Sequence, residues 1–257
     1  MDQNNQYKSV FLSDIHLGFS GCQSDKLDLF LSNLKCKELY LVGDIIDFWA
    51  MEDNFFWPDI HTKILDRLIE LKEQGVEVKY ISGNHDDPLR EDRILEDLYN
   101  RGEPYHTIIN QLDKLDHCER YDFISKKHGK ILLIHGDQYD SVTTNAKWIS
   151  KLGGLIYDGL IYINRPLSKR LKALTKRLVD GASGFHKKVK NECQKGEYAG
   201  LMCGHNHRPE IKKFESHFYL NTGDWIESCS AIVELTDGSI QLIKVDNNNN
   251  ITKAAEL

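Results

Sequence analysis

No Cys-x-x-Cys pair occurs in this chain, and its six cysteines (Cys22, Cys36, Cys118, Cys193, Cys203 and Cys229) stand singly. That spacing excludes a thiolate zinc site and a disulfide framework, and points to the reduced thiols of a cytosolic protein. No run approaches the ~20 apolar residues a membrane span needs. The best candidate, Leu152 to Ile163, is short and broken by Asp158. Met1 to Lys8 is polar and carries no apolar core of a signal peptide. No internal repeat is visible. The net charge is only −6, too mild and of the wrong sign for bulk nucleic-acid binding. A cytoplasmic protein is expected, with one large domain over residues 1–257. Its 40% hydrophobic content supplies a core.

What the chain has instead is five short apolar runs that each stop at Asp, His or Asn. Val10-Phe11-Leu12 runs into Ser13-Asp14-Ile15-His16, and Leu39-Tyr40-Leu41-Val42 into Gly43-Asp44-Ile45-Ile46-Asp47. Val78-Lys79-Tyr80-Ile81 runs into Ser82-Gly83-Asn84-His85-Asp86, and Ile131-Leu132-Leu133-Ile134 into His135-Gly136-Asp137. Gly200-Leu201-Met202-Cys203 runs into Gly204-His205-Asn206-His207. A buried strand with oxygen and imidazole ligands at its C-terminal end is how an α/β protein builds a site at one sheet edge.

The first part alternates strand and helix. Leu27, Phe30, Leu31 and Leu34 are spaced for a helix over 25–34, and Ile64, Leu65, Leu68, Ile69 and Leu71 for one over 60–75, stopping at Gly75. One further helix is expected over 88–101. Such alternation implies parallel pairing. The later part reads as strands at 218–220, 230–235 and 239–245, the last two joined by a turn at Thr236-Asp237-Gly238. The fold class is α/β, with two packed mixed β-sheets flanked by helices. Residues 140–195 are helical in pattern, with Pro166 the only breaker. This is too long for a loop, so an inserted helical cap is expected there. Asn247 to Asn250 reads as a frayed tail.

Asp14 and His16, two apart on an extended chain, share a face and reach one ion. Asp44 offers two oxygens, Asn84 a carbonyl oxygen, and His135, His205 and His207 imidazole nitrogens. This mixture suits Mn²⁺, Fe or Zn²⁺ better than Ca²⁺. Two such ions about 3.5–4 Å apart clamp a phosphoryl oxygen and activate a water.

Asp-x-His, Gly-Asp-x-x-Asp, Gly-Asn-His-Asp, a later His and Gly-His-x-His stand in order between residues 14 and 207. In this the sequence resembles the calcineurin-like metallophosphoesterases. The resemblance implies a single metallophosphoesterase domain, a sandwich of two sheets. Asp14, His16, Asp44 and His207 would bind a first divalent ion. Asp44, Asn84, His135 and His205 would bind a second, with Mn²⁺ the expected metal. His85 would face the leaving-group oxygen as a catalytic residue, with Asp86 orienting its imidazole.

Further blocks are similar to the UDP-2,3-diacylglucosamine diphosphatase group: Gly43-Asp44-Ile45-Ile46-Asp47-Phe48-Trp49, His135-Gly136-Asp137, Gly204-His205-Asn206-His207-Arg208-Pro209 and Asn221-Thr222-Gly223-Asp224-Trp225. That group cleaves the pyrophosphate of a lipid A precursor and carries a helical cap after its His-Gly-Asp block. One departure is His85, where the best-studied members have Arg; His is the general superfamily state. A second reading is therefore a phosphodiesterase or phosphomonoesterase acting on a small nucleotide-type substrate. A metal-poor scaffold is a third, but no ligand block is missing.

Residues 145–195 hold twelve Lys and Arg against three Asp and Glu. A basic, apolar-striped cap can grip a charged amphiphile or touch the inner membrane surface, although the same stripe also packs any helix onto a core. Lys147 and Lys151 are candidate substrate contacts on the cap, and Arg208 is a third beside His207. Asp47 and Asp137 are expected to hold ligands in place without being ligands. Asp224 and Trp225 should close the sheet edge. Trp49, Phe55, Phe56 and Trp57 form an aromatic patch that could stack a uracil or line a lipid mouth, with core packing the expectation preferred.

Overall fold

The computed structural model describes residues 7–139, 185–248 and 250–257, with Asp92 and Arg93 described by backbone alone. Among them, strands β1 (Tyr7–Leu12), β2 (Cys36–Val42), β3 (Glu77–Ile81) and β4 (Asp116–Cys118) run parallel in that order. Three antiparallel strands extend this sheet beyond β1: β10 (Ser230–Leu235), β11 (Ile240–Val245) and β12 (Ile251–Glu256). The second sheet has five strands. β6 (Gly129–Ile134), β7 (Gly200–Cys203) and β9 (Phe218–Asn221) are parallel at its centre, with β5 (Arg120–Ser125) and β8 (Glu210–Lys213) antiparallel at its edges. Both sheets are mixed, as the sequence led us to expect.

The apolar runs are continuous because both faces of each central strand are buried. Phe11, Tyr40, Val42 and Ile81 turn toward the second sheet and meet Phe123, Ile131, Leu133, Met202 and Leu220. Phe11 lies 4.9 Å from Tyr40 and 5.0 Å from Phe123, ring to ring. Their neighbours Val10, Leu12, Leu39 and Leu41 turn the other way. They pack on α1 (Ser24–Ser32), α3 (Asp59–Glu73) and α5 (Tyr105–Leu112) through Leu27, Phe30, Ile64, Leu68 and Ile108. On the far side, Leu132, Ile134 and Leu201 meet Val189 and Cys193 of α6 (Phe185–Gly196). The order is therefore helix, sheet, sheet, helix.

Several expectations are corrected. The helix expected over 88–101 is a 3₁₀ turn at Asp87–Arg90 followed by α4 (Asp92–Tyr99). Of the segment expected to fray, Asn248 and Asn250 are held: Asp246 Oδ1 accepts from both backbone N–H groups, just before β12. Phe55 and Phe56 are 44% and 37% exposed, so they are not core. Of the cap expected over 140–195, residues 140–184 lie outside the described residues, and Lys147 and Lys151 lie there too. Among the described residues, no helix is long and apolar enough to cross a membrane.

Candidate metal centre

Parallel strands end on the same side, and the five ligand blocks follow β1, β2, β3, β6 and β7 at that side. Backbone bonds then tie the loops to one another. Asp14 N–H donates to Gly43 O (3.0 Å), His16 N–H to Asp44 O (3.0 Å), and Gly204 N–H to His135 O (3.1 Å). The two sheets are joined here as well. Trp225 N–H donates to Asp14 O (3.0 Å), and His205 N–H lies 3.0 and 3.1 Å from the two Asp14 carboxylate oxygens.

The backbone is strained where the side chains converge. Asp14, His16, Asp44, His205 and His207 all have positive φ, between 50° and 68°. For residues with a side chain this region costs about 1–3 kcal/mol each and persists only where the surroundings enforce it. Two glycines let the loops approach. A Cβ on Gly83 would overlap Asp44 Oδ1, and one on Gly204 would overlap Asp14 Oδ2.

Three groups of side chains result among the described residues, one of them His16, Asp47 and His85. Asp14, His16 and His207 place their donor atoms within 4.8 Å of one another, and so do Asp44, His135 and His205. Asp44 stands between these last two groups, with Oδ2 3.9 Å from His16 Nε2 and 3.1 Å from His135 Nε2. Its Oδ1 accepts from the His85 backbone N–H at 2.8 Å.

Outer oxygens set the imidazole tautomers. His135 Nδ1–H donates to Val42 O (3.0 Å), and His16 Nδ1–H to Asp47 Oδ2 (2.9 Å). His207 Nδ1 faces Asp224 Oδ2 at 3.6 Å, while its Nε2 lies 3.2 Å from Asp14 Oδ1. Each ring thus turns Nε2 inward, the usual arrangement of an imidazole–metal ligand and its outer partner. His16 Nε2 and Asn84 Oδ1 are buried without any hydrogen-bond partner. Buried polar atoms are rarely left so, and a cation is the partner that nitrogen and oxygen lone pairs of this kind accept. The residues fit divalent ions.

The charges agree. Burial opposes ionisation of Asp14, yet His207 and His135 hold its carboxyl below the usual range. Asp44, also buried, is driven well below it by His135, His85 and His16. Burial opposes protonation of His16, but the Asp47 hydrogen bond and the charges of Asp44, Asp47 and Asp14 lift it to about 9. Against the same burial, Asp44 and Asp14 lift His135 to about 10. A pocket this negative attracts cations.

His85, 23% exposed, sits at the rim. Its Nδ1 lies 2.7 Å from Asp47 Oδ1. Asp86, expected to orient it, does not. The buried Asp86 carboxylate accepts instead from the N–H groups of Ile45, Ile46 and Gly83 and from Tyr80 Oη. Burial and the charge of Asp44 raise Asp86 to about 6. Asp137 pairs with Arg90 at 2.8 Å, and the charges of His135 and His205 act on its carboxyl as well. Arg208 is exposed beside His207, and its backbone N–H donates to Asn206 Oδ1. The Asp224–His207 and Asp47–His85 approaches were not read from the sequence. They join residues far apart in the chain, and only the Gly-Asp-x-x-Asp spacing hinted at the second.

Residues 7–209, more than half of the chain, match the calcineurin-like phosphoesterase pattern. The chain belongs to the calcineurin-like phosphoesterase family. It is a metal-dependent phosphoesterase. A UDP-2,3-diacylglucosamine hydrolase of Haemophilus influenzae (strain PittGG) is 26% identical over 262 residues, covering 92% of this chain and 98% of that protein. A protein of the same name from Aeromonas salmonicida (strain A449) is 25% identical over 256 residues, covering 88% and 89%. Among solved structures, a Vps29 single mutant from Entamoeba histolytica is 12% identical, covers 97% of this chain and 98% of its own, and has a TM-score of 0.49.

Proposed function

We propose that this phosphoesterase hydrolyses the pyrophosphate bond of UDP-2,3-diacylglucosamine, or a similar UDP-lipid, to UMP and a lipid phosphate. The observation that carries this reading is likeness along nearly the whole length, 92% of this chain and 98% of the first relative, to proteins named for that hydrolysis. The identity of 26% makes the substrate the part to test.

Asp14, His16, Asp44 and His207 would hold one ion and Asp44, Asn84, His135 and His205 the other, Mn²⁺ being the metal to try first and Fe or Zn²⁺ the alternatives. Bound there, the pair supplies Lewis acidity to the phosphoryl oxygens and lowers the pKa of water. The chain's own groups do the rest. Ionised Asp47 can only accept hydrogen bonds, so it keeps a proton on Nδ1 of both His16 and His85. That leaves His85 Nε2 to serve the leaving-group oxygen as proton donor or cationic partner. Asp86 acts on the loops rather than on the ring. Arg208, next to His207 in the chain, would meet a phosphate. Lys147 and Lys151 would add positive charge from a helical cap over 140–195, inserted in a single domain. A basic cap also suits peripheral contact with the cytoplasmic face of a membrane and a place in lipid A synthesis.

His85 in place of Arg favours a second reading, cleavage of a small soluble nucleotide ester. One assay separates them. The Mn²⁺-loaded protein is given UDP-2,3-diacylglucosamine and, in parallel, nucleotide diesters and monoesters. UMP release from the lipid at the higher kcat/KM supports the first reading. Fast ester cleavage with no UMP released would replace it with the second.

A further inference from the structure

Among the described residues, three groups meet the His85 ring. Asp47 Oδ1 meets Nδ1 at 2.7 Å, and the His16 ring meets it edge to face with centroids 4.7 Å apart. The third is Trp49, whose indole lies across the imidazole with centroids 4.3 Å apart and planes inclined by 32°. Trp49 is in the first turn of α2 (Phe48–Asp53), two residues after Asp47, and offers no metal donor. Its Nε1–H donates to Asp87 Oδ1 at 3.1 Å. Asp87 stands two residues beyond His85, so the indole is pinned to the turn that carries the imidazole.

One hydrogen bond at Nδ1 fixes a point on the ring, not its plane. The outer torsion of histidine is a broad sp³–sp² rotor, and the ring can swing about the Nδ1···Oδ1 line. Such a swing displaces Nε2, the far nitrogen. A flat contact on the ring face blocks it, and aromatic pairs at this separation are attractive in themselves.

We infer that Trp49 is a positioning residue for His85: pinned by Asp87, its indole holds the imidazole in the plane from which Nε2 serves the departing oxygen. This rests on the leaving-group reading of His85. In that step a water oxygen bonds to phosphorus, the water releases one proton to solvent from which His85 is later reprotonated, and the P–O bond to the leaving group breaks. The electron pair of that bond stays on the departing oxygen, which takes the proton from His85 Nε2–H.

A proton donor matters most when the leaving group is poor. The test uses the Mn²⁺-loaded full chain and two thymidine 5′-monophosphate esters, p-nitrophenyl (a good leaving group) and phenyl (a poor one). Trp49→Leu should lower kcat on the phenyl ester about tenfold or more, with KM and metal content unchanged and the p-nitrophenyl ester little affected. Trp49→Phe should restore most of the loss, and Asp87→Leu should reproduce part of it. His85→Ala is the control. If His85→Ala slows both esters alike, the leaving-group reading fails. If it is selective and Trp49→Leu slows both alike or neither, the inference about Trp49 alone is overturned. A readout without turnover is the proton spectrum of the protein loaded with diamagnetic Zn²⁺ instead of Mn²⁺. The His85 ring protons should be shifted upfield by the indole and return in Trp49→Leu; no such shift contradicts the stack.

Discussion

Asp47, not the adjacent Asp86, holds His85. Asp47 Oδ1 lies 2.7 Å from His85 Nδ1, and its other oxygen lies 2.9 Å from His16 Nδ1. One carboxylate thus ties the rim imidazole to an imidazole of the metal centre. Burial opposes the charge on Asp47, but the two histidines keep its carboxyl well below the usual carboxylate range.

The two aspartates should therefore fail differently. Asp47→Asn should leave the unfolding free energy within about 1 kcal/mol of the parent, while metal affinity or turnover falls about 10- to 100-fold. Asp86→Ala strands three buried N–H groups and a tyrosine hydroxyl. It should cost about 3–5 kcal/mol of stability in denaturant unfolding. Equal stability loss in both variants would contradict the division.

Gly83 packs against the Asp44 carboxylate so closely that a methyl group cannot fit. Gly83→Ala should displace Asp44, the residue between the two donor groups. Metal analysis after reloading should show fewer ions per chain than in the parent, in a protein whose far-ultraviolet circular dichroism is unchanged. Unaltered metal content would mean that Asp44 is not placed by that contact.

The legible parts of the chain were those where burial writes a simple pattern. Val10-Phe11-Leu12 and Ile131-Leu132-Leu133-Ile134 are buried on both faces, so they read as strands, and the polar residues after them read as a site. Edge strands were missed because they face water. Of β12 only Ile251 and Ala255 pack inward, with Leu257 just beyond the strand, and β8 is Glu-Ile-Lys-Lys with no fully buried residue. Charged side chains on such strands discourage pairing with other chains and erase the alternation a reader looks for. The partner of His85 was missed for another reason. Adjacency in sequence favoured Asp86, but the loop amides had already claimed that carboxylate.

His61 lies away from the donor groups and gives a pH signature. It is buried, and its Nδ1 accepts from Gly18 N–H at 3.1 Å. Burial lowers its pKa to about 4, against 6.5 in an open chain. Between those values the unfolded chain binds the proton more readily, so stability present above pH 6.5 is lost as pH falls toward 4. The loss from this residue should be about 2–3 kcal/mol between pH 7.5 and pH 4.5. Urea unfolding of parent and His61→Asn across that range measures it. The variant should lose less stability by about that amount; parallel curves would show that His61 titrates normally in the fold.

Phosphoester cleavage here requires Asp14, His16, Asp44, Asn84, His135, His205 and His207 to gather around a pair of cations. Elemental analysis of the protein reloaded with Mn²⁺ and freed of excess metal tests this most directly, beside Asp44→Ala prepared in the same way. The parent should hold about two ions per chain and Asp44→Ala at most one, with phosphoesterase turnover falling in step. A parent that retains no ion, or an Asp44→Ala protein that retains both, would contradict it.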